Sequence, residues 1–537
     1  MSDTQTPAPA AGMPLPRAVA YMAAATLLAV TQGLGQSFLT VNISTFAGDL
    51  GITTTDASWL LIVYMVPRAA LPLMLIKLRT QYGLRRFAEW GIAIHVVVAF
   101  AVLWVTDMRS ALVLHFLAGA AAAPLSTLAF LYMLEPLEQT WKMRLGLPAT
   151  LATIMSGTSL GWIVSPHLIG DGGLTWMHLT SLGLSMASLA LVFLLPLRPV
   201  PHMKVIKPLD FASFLLIASG FAGIVTAFVM GPAHYWSEPW IIWTLAGAIA
   251  ALAASAMIEL NREAPIIDIR WLASPAILHL TGTLLLLRLL LSEQTSGAPR
   301  MFQVLGLQAQ QMGGLFTVIL IGTILGSLAC VAWMRPDRIP RFHLAALAMI
   351  AFGAWLDTQS TVLTRPHQML ISQGLIAFAG MIFMVPAMMS GLLTALAKGP
   401  QYLLSFIIVF ISTQSLGSIL GSGLFSTLIT HRQAAHYQAL TEQLAVGDAQ
   451  TNAAIAAIAA RLQPGMIDTA QARTQAVYQL AQEAGRQATV LAYDDAYTLI
   501  FLAASMAAGA LLLHLLRDWL TARLTPAPQD NPIGTAT

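Results

Sequence analysis

The chain has 537 residues, of which 57% are apolar and only 9% charged, and its mean hydropathy is +0.72; a soluble domain carries roughly 25% charged residues, so an ordinary water-soluble globule is excluded. The 27 Lys and Arg against 24 Asp and Glu leave a net charge of +3, too small and too dispersed for a nucleic-acid-binding face. A single cysteine, Cys330, excludes an internal disulfide and a cysteine-ligated metal centre.

The bilayer is therefore the solvent to reason with. A helix crosses its hydrocarbon core with roughly 20 mainly apolar residues, and about fourteen stretches meet that length in chain order: 18–44, 57–76, 87–106, 111–134, 145–169, 174–195, 209–230, 240–260, 276–296, 312–333, 343–356, 369–396, 403–430 and 496–516. The first sixteen residues are polar and proline-rich with no basic region before an apolar run, so no cleaved signal is expected. Of the 27 Lys and Arg, 18 fall on the side of the chain ends in such a topology and 7 on the other, while Arg68 and Arg288 lie inside spans. Cationic loops stay inside, which predicts cytoplasmic termini, with tails at 1–17 and 517–537.

Two hydrophilic segments interrupt the spans. The basic, proline-rich linker 198–208 ends a six-helix half, 18–197, and leads into two extra helices within 198–260; a second half occupies 261–516. The 65-residue loop 431–495 repeats apolar residues at helical spacing in NAAIAAIAARL and TQAVYQLAQEAG, which predicts a helical pair broken near Pro464-Gly465. A solvated spacer is the other reading of the same loop.

Several blocks of the sequence carry a family likeness. Ala47-Gly48-Asp49-Leu50-Gly51 precedes Trp59 at the start of the second span, Glu259 is followed by APIIDIRWLASP, Pro299, Gln303 and Gly306 stand in APRMFQVLGLQAQQMGGL, and HRQAAHYQALTEQL opens the long loop. This ordered set resembles the fourteen-helix drug:proton antiporter branch of the major facilitator superfamily, of the multidrug-resistance protein B type. The resemblance implies an all-α integral membrane protein with the major facilitator fold: two six-helix bundles plus two extra linking helices. It also implies secondary active export across a bacterial inner membrane without a cofactor, and a periplasmic adaptor protein and outer-membrane channel engaged through loop 431–495. The chain departs from the family where its usual proton-handling residues stand. Gly35 replaces an acid, Thr40 an asparagine, Ser44 a proline, Thr80 an aspartate, His115 an arginine, and Gln414 the arginine that often precedes the glycine of the thirteenth span.

Charged and polar residues inside spans are the candidates for chemistry, because each costs several kcal/mol unless it meets water or a partner. Arg68 lies near the middle of its span between Pro67 and Pro72; it can line a substrate cavity or satisfy the carbonyls those prolines leave free. Arg288 and Glu293 are five residues apart, about 140° around a helix, so each needs a partner elsewhere. Glu293 is either an interfacial acid or a protonatable coupling group. His115 is the other proton-coupling candidate, since imidazole titrates near neutrality; His95, His178 and His279 more plainly suit packing. Gln32, Gln36, Thr40 and Ser44 recur every four residues, the geometry of a cavity lining or of interhelical hydrogen bonds, and Gln414 extends the candidate lining. Gly157 and Gly161, like Gly417 and Gly421, read as close-packing pairs.

No phosphate loop, zinc helix or nucleophile elbow occurs in the sequence, which argues against an enzyme. The expected function is secondary active export of amphiphilic small molecules with organic anions favoured, because Arg68 and Arg288 lie deep inside their spans whereas the acids within the spans, Glu89, Asp210, Glu259 and Glu293, stand near span ends. Import or exchange of organic anions is the alternative within transport, and a non-transporting membrane sensor or scaffold the alternative outside it.

Overall fold

A computed structural model describes residues 12–170, 173–198, 203–444, 448–462 and 468–524. Its longer helices are α1 (Leu15–Val41), α2 (Thr54–Tyr82), α3 (Leu84–Ala101), α4 (Met108–Leu134), α5 (Leu147–Leu168), α6 (Thr175–Leu194), α7 (Pro208–Ala233), α8 (Pro239–Leu260), α9 (Pro275–Leu290), α10 (Gly313–Trp333), α11 (Ile339–Asp357), α12 (Leu370–Lys398), α13 (Pro400–Gln443), α14 (Ala449–Leu462) and α15 (Thr469–Leu524). Thirteen helices among the described residues are long and apolar enough to cross a bilayer. The remaining expected span, 403–430, lies wholly on α13. Helix starts follow local chemistry: the Thr53 hydroxyl accepts from the Asp56 N–H, and Asp107 and Ser110 form a reciprocal cap at the start of α4. Hydrogen bonds from Ser110 hold the exposed Asp107 carboxyl below the usual carboxylate range.

The helices pack in two sets that repeat one order. In the first, α1 lies on α4 and α5, α4 on α2 and α3, and α3 on α6. The second set puts α9 on α12 and α13, α12 on α10 and α11, and α11 on α15. Small residues permit the equivalent α1–α5 and α9–α13 crossings. A Cβ on Gly33 would come within 2.9 Å of the Gly157 Cα, and one on Gly421 within 3.0 Å of the Arg288 carbonyl oxygen, so neither pair of backbones tolerates a side chain at its crossing.

The sets meet along α5–α10 and α2–α13. Trp162 of α5 stacks on Phe316 of α10, with centroids 4.8 Å apart and planes 4° from parallel. Helices α7 and α8 pair with each other, and α7 lies in the groove between α2 and α13.

The two loop stretches expected to be helical are so, NAAIAAIAARL on α14 and TQAVYQLAQEAG on α15, but the flanking helices run further than expected. α13 continues through 403–430 to Gln443, and α15 begins at Thr469 and runs unbroken into the last span. Nothing in those stretches stops a helix: they hold no proline, and Gly485 alone does not. The two extensions are tied where Asp495 accepts from Arg432 Nε at 2.5 Å and pairs with His436 at 2.7 Å, and α14 packs on α15. Pro464 and Gly465, the expected break, lie outside the described residues.

Candidate functional site

Polar residues every four positions on α1 present one face, and that face meets α2 at Arg68. Its guanidinium donates through Nη1 to Gln36 Oε1 and through Nη2 to Gln32 Oε1, the latter at 2.6 Å. Ser126 of α4 donates to the same Gln32 oxygen at 3.1 Å, and Gln32 Nε2 is anchored on the Ala29 carbonyl. The Tyr64 ring, one turn earlier on α2, lies 5.9 Å from the Arg68 guanidinium carbon. The arginine thus meets two side-chain amide oxygens rather than the carbonyls freed by its flanking prolines.

The second half holds its arginine in a related way. Arg288 Nε donates to Gln414 Oε1 on α13 at 2.5 Å, and Nη2 reaches the Met155 sulfur of α5 at 3.5 Å, across the seam between the two helix sets. Gly417, one turn from Gln414, leaves room for the arginine stem. Among the described residues, no carboxylate forms an ion pair with Arg68 or Arg288.

The other expected residues lie apart from these two clusters. Thr40 is exposed, and its hydroxyl donates to the Gln36 and Ser37 carbonyls of its own helix. Ser44 is exposed beyond the end of α1. His115 is buried with Nδ1 at 2.8 Å from the Ala111 carbonyl oxygen, and its ring meets Phe46 edge to face. Glu293 opens a π-helical turn, Glu293–Gly297, and is fully buried, which corrects the reading of it as an interfacial acid. Its Oε1 accepts from Gln373 Nε2 at 2.7 Å, and the same nitrogen donates to Asp357 Oδ2 at 2.8 Å.

A cavity of about 300 Å³ opens at the face where α1 begins, between α4, the start of α5, α12 and α13. It places Arg79 and Lys142 against one acid, Glu135. Its inner wall includes Thr127, which follows Ser126 of the Arg68 cluster. Arg79 itself lies 11 residues after Arg68 on α2, or about 16 Å along the axis.

Sequence reasoning missed two groups. Asp357 closes α11 one residue beyond the expected span 343–356, so it was counted with a loop. Lys77, Asp210, Arg262 and Glu259 form a buried network: Lys77 Nζ donates to Asp210 Oδ1 at 2.6 Å, Arg262 bridges Asp210 and Glu259, and Glu259 also accepts from the Ile266 N–H. That network clamps α2 to α7 and α8. All four stand at span ends, where hydropathy alone assigns a charge to the flank.

No family model matches the sequence and no curated protein sequence matches it, whereas its fold matches solved structures. The human organic anion transporter MFSD10 (TETRAN) superposes with a TM-score of 0.54 at 13% identity, covering 92% of this chain and 100% of that one. The POT family transporter PepTSo gives 0.50 at 12% identity over 90% and 99% of the two chains, and a D-xylose-proton symporter 0.50 at 14% over 76% and 90%. At these identities the likeness is one of fold. The repeated helix order and these superpositions together make the chain an all-α membrane protein of the major facilitator fold.

Proposed function

We propose that the protein is a secondary active transporter that exports amphiphilic organic anions across a bacterial inner membrane, with both termini in the cytoplasm. The halves 18–197 and 261–516 rock about the seam along α5–α10 and α2–α13, and the linker and helices of 198–260 ride in the groove beside it. One observation carries the substrate class: two arginines within membrane-spanning helices rest on glutamine oxygens with no carboxylate among the described residues paired to them. A carboxylate-bearing amphiphile supplies the missing charge through short, bidentate contacts, while a lipophilic cation is repelled at low dielectric. The basic cavity at Arg79 and Lys142 is the cytoplasmic entrance on this reading.

Export with an adaptor is supported by the family likeness of the sequence blocks and by the helical stretches 431–443, 449–462 and 469–495, which expose Tyr437, Val477 and Tyr478 to solvent. These side chains offer an apolar surface to a periplasmic adaptor leading to an outer-membrane channel. The test is flux in proteoliposomes. Salicylate should be transported and ethidium should not, and Arg68→Ala should abolish the preference; movement of ethidium without salicylate sinks the anion reading.

A further inference from the structure

The second half buries two carboxyl groups for which anion binding has no use. Glu293 is 0% exposed and Asp357 3% exposed, and they arrive on different elements, the π-helical turn after α9 and the last turn of α11. A single amide nitrogen, Gln373 Nε2, donates to both at 2.7 and 2.8 Å, and Ser372 Oγ donates to the other Asp357 oxygen at 2.5 Å. The two carboxyl groups also lie within hydrogen-bonding reach of each other. Glu293 Oε2 and Gln373 Oε1, both buried, receive no hydrogen bond from any donor among the described residues.

No Lys, Arg or His of the described residues forms an ion pair with either acid. Tyr497 of α15 faces both acids, with Tyr493 and Asp494 beside it on the same helix, and none of the three is a cation. Arg300 lies beyond, towards Tyr493, and donates to Ser426 of α13 at 3.2 Å. From α13 itself come Phe425, packed at Gly297, and Ser422, hydrogen-bonded to Ser296 at 2.7 Å. Two carboxylates this close and this dry cannot both carry a charge. One proton removes the conflict: on Glu293 Oε2 it turns the orphan oxygen into a donor towards Asp357 and leaves one negative charge spread over the pair.

We propose that Glu293 and Asp357 form a carboxyl pair that holds the one proton moved in each transport cycle, with Gln373 as its positioning residue. A metal cation suits the site less well, because the Gln373 NH2 group points at both carboxyls where a cation would need an oxygen. The cycle balances simply. The Glu293 O–H bond forms with a proton from water while the site is open to the face bearing residues 431–495, and it breaks with release of that proton to water on the opposite face. Asp494, one turn nearer the first of those faces than Tyr497, has a carboxyl oxygen that no donor among the described residues reaches, and it would receive the proton first. His115, in the first half against Phe46, is not needed for this step.

The proposal rests on the transport reading, and its test separates the two. Infrared spectra of the purified full-length protein should show a protonated-carboxyl C=O band at neutral pH that disappears in Glu293→Gln and in Asp357→Asn and persists in Glu293→Asp. That arm needs no substrate. In proteoliposomes, Glu293→Gln should lose salicylate accumulation driven by a pH gradient and retain salicylate counterflow without one, which also shows that the variant is folded. A band that survives in both single variants, or accumulation that follows a sodium gradient instead, overturns the carboxyl pair. Absence of any salicylate flux in the wild type overturns the anion reading while leaving the infrared result to decide the pair.

Discussion

Two charge clusters, one buried and one half-buried, lie on the same helix, α2, and are treated in opposite ways. Around Lys77 the charges cancel: two cations and two carboxylates from α2, α7, α8 and the residue pair after it interlock, each with a hydrogen-bonded partner. Around Arg68 they do not, since the guanidinium rests on two glutamines and a tyrosine face, with no acid among the described residues paired to it. Compensated charge at a span end holds helices together; an uncompensated cation inside the spans is a costly arrangement that a bound anion would relieve. The contrast predicts that the two clusters fail differently when broken.

The largest effect is expected at Asp210. Asp210→Ala leaves Lys77 and Arg262 facing each other without a shared carboxylate, a loss of about 3–5 kcal/mol for a buried pair. The protein should lose its monodisperse peak in detergent or unfold at clearly lower temperature. Normal thermal stability in this variant would mean that the network is not what clamps α7 to α2. Next comes Arg68→Ala, expected to leave stability nearly unchanged but to weaken salicylate transport by about 10- to 100-fold, the worth of a charge-assisted hydrogen bond of roughly 1.5–3 kcal/mol. A fall in stability without change in the salicylate-to-ethidium preference would place Arg68 with the structural charges.

Arg288 sharpens the comparison from the other half. It contacts Gln414 through one nitrogen and a sulfur through another, so Arg288→Lys should recover more activity than Arg68→Lys, whose two nitrogens grip two separate oxygens. Comparing KM for salicylate in the two lysine variants checks this ordering. The smallest effect lies far from both clusters, at Asp448, which caps α14 by accepting from the Thr451 N–H at 3.0 Å. Hydrogen bonds from Thr451 hold this exposed carboxyl below its ordinary range. A depressed value in the folded state means that the contribution is present above the ordinary carboxylate range and is lost as pH falls through the folded value. Amide exchange at the start of α14 should accordingly quicken in acid, and Asp448→Ala should remove that pH dependence.

The spans were legible because hydropathy over 20 residues is a one-dimensional property, and every expected stretch overlaps a helix at the matching position. The stripe of Gln32 and Gln36 was legible for a similar reason, since periodicity fixes a face. Which helix meets that face is a tertiary fact, so the stripe reads as a cavity lining or as interhelical hydrogen bonds without naming Arg68 as its partner. Asp357 and Lys77 were lost to a single convention: a charge at the edge of an apolar run is assigned to water, whereas a partner from another helix keeps it buried. The continuity of α13 and α15 past the spans was lost to another, the habit of ending a helix where hydrophobicity ends, although helix hydrogen bonds do not require an apolar sequence.

That continuity makes α13 a lever. Its 44 residues extend about 66 Å at 1.5 Å each, more than twice the roughly 30 Å of hydrocarbon it crosses. Gln414, which holds Arg288, sits in the arm inside the spans, and Tyr437 lies on the arm beyond them. A rigid rod pivoting at the seam amplifies motion with distance from the pivot. On the proposed reading, an anion that displaced Gln414 from Arg288 by a fraction of an ångström would tilt the rod and sweep its far tip through several times that distance, so that an adaptor at the tip would receive a mechanical report of whether the site is full.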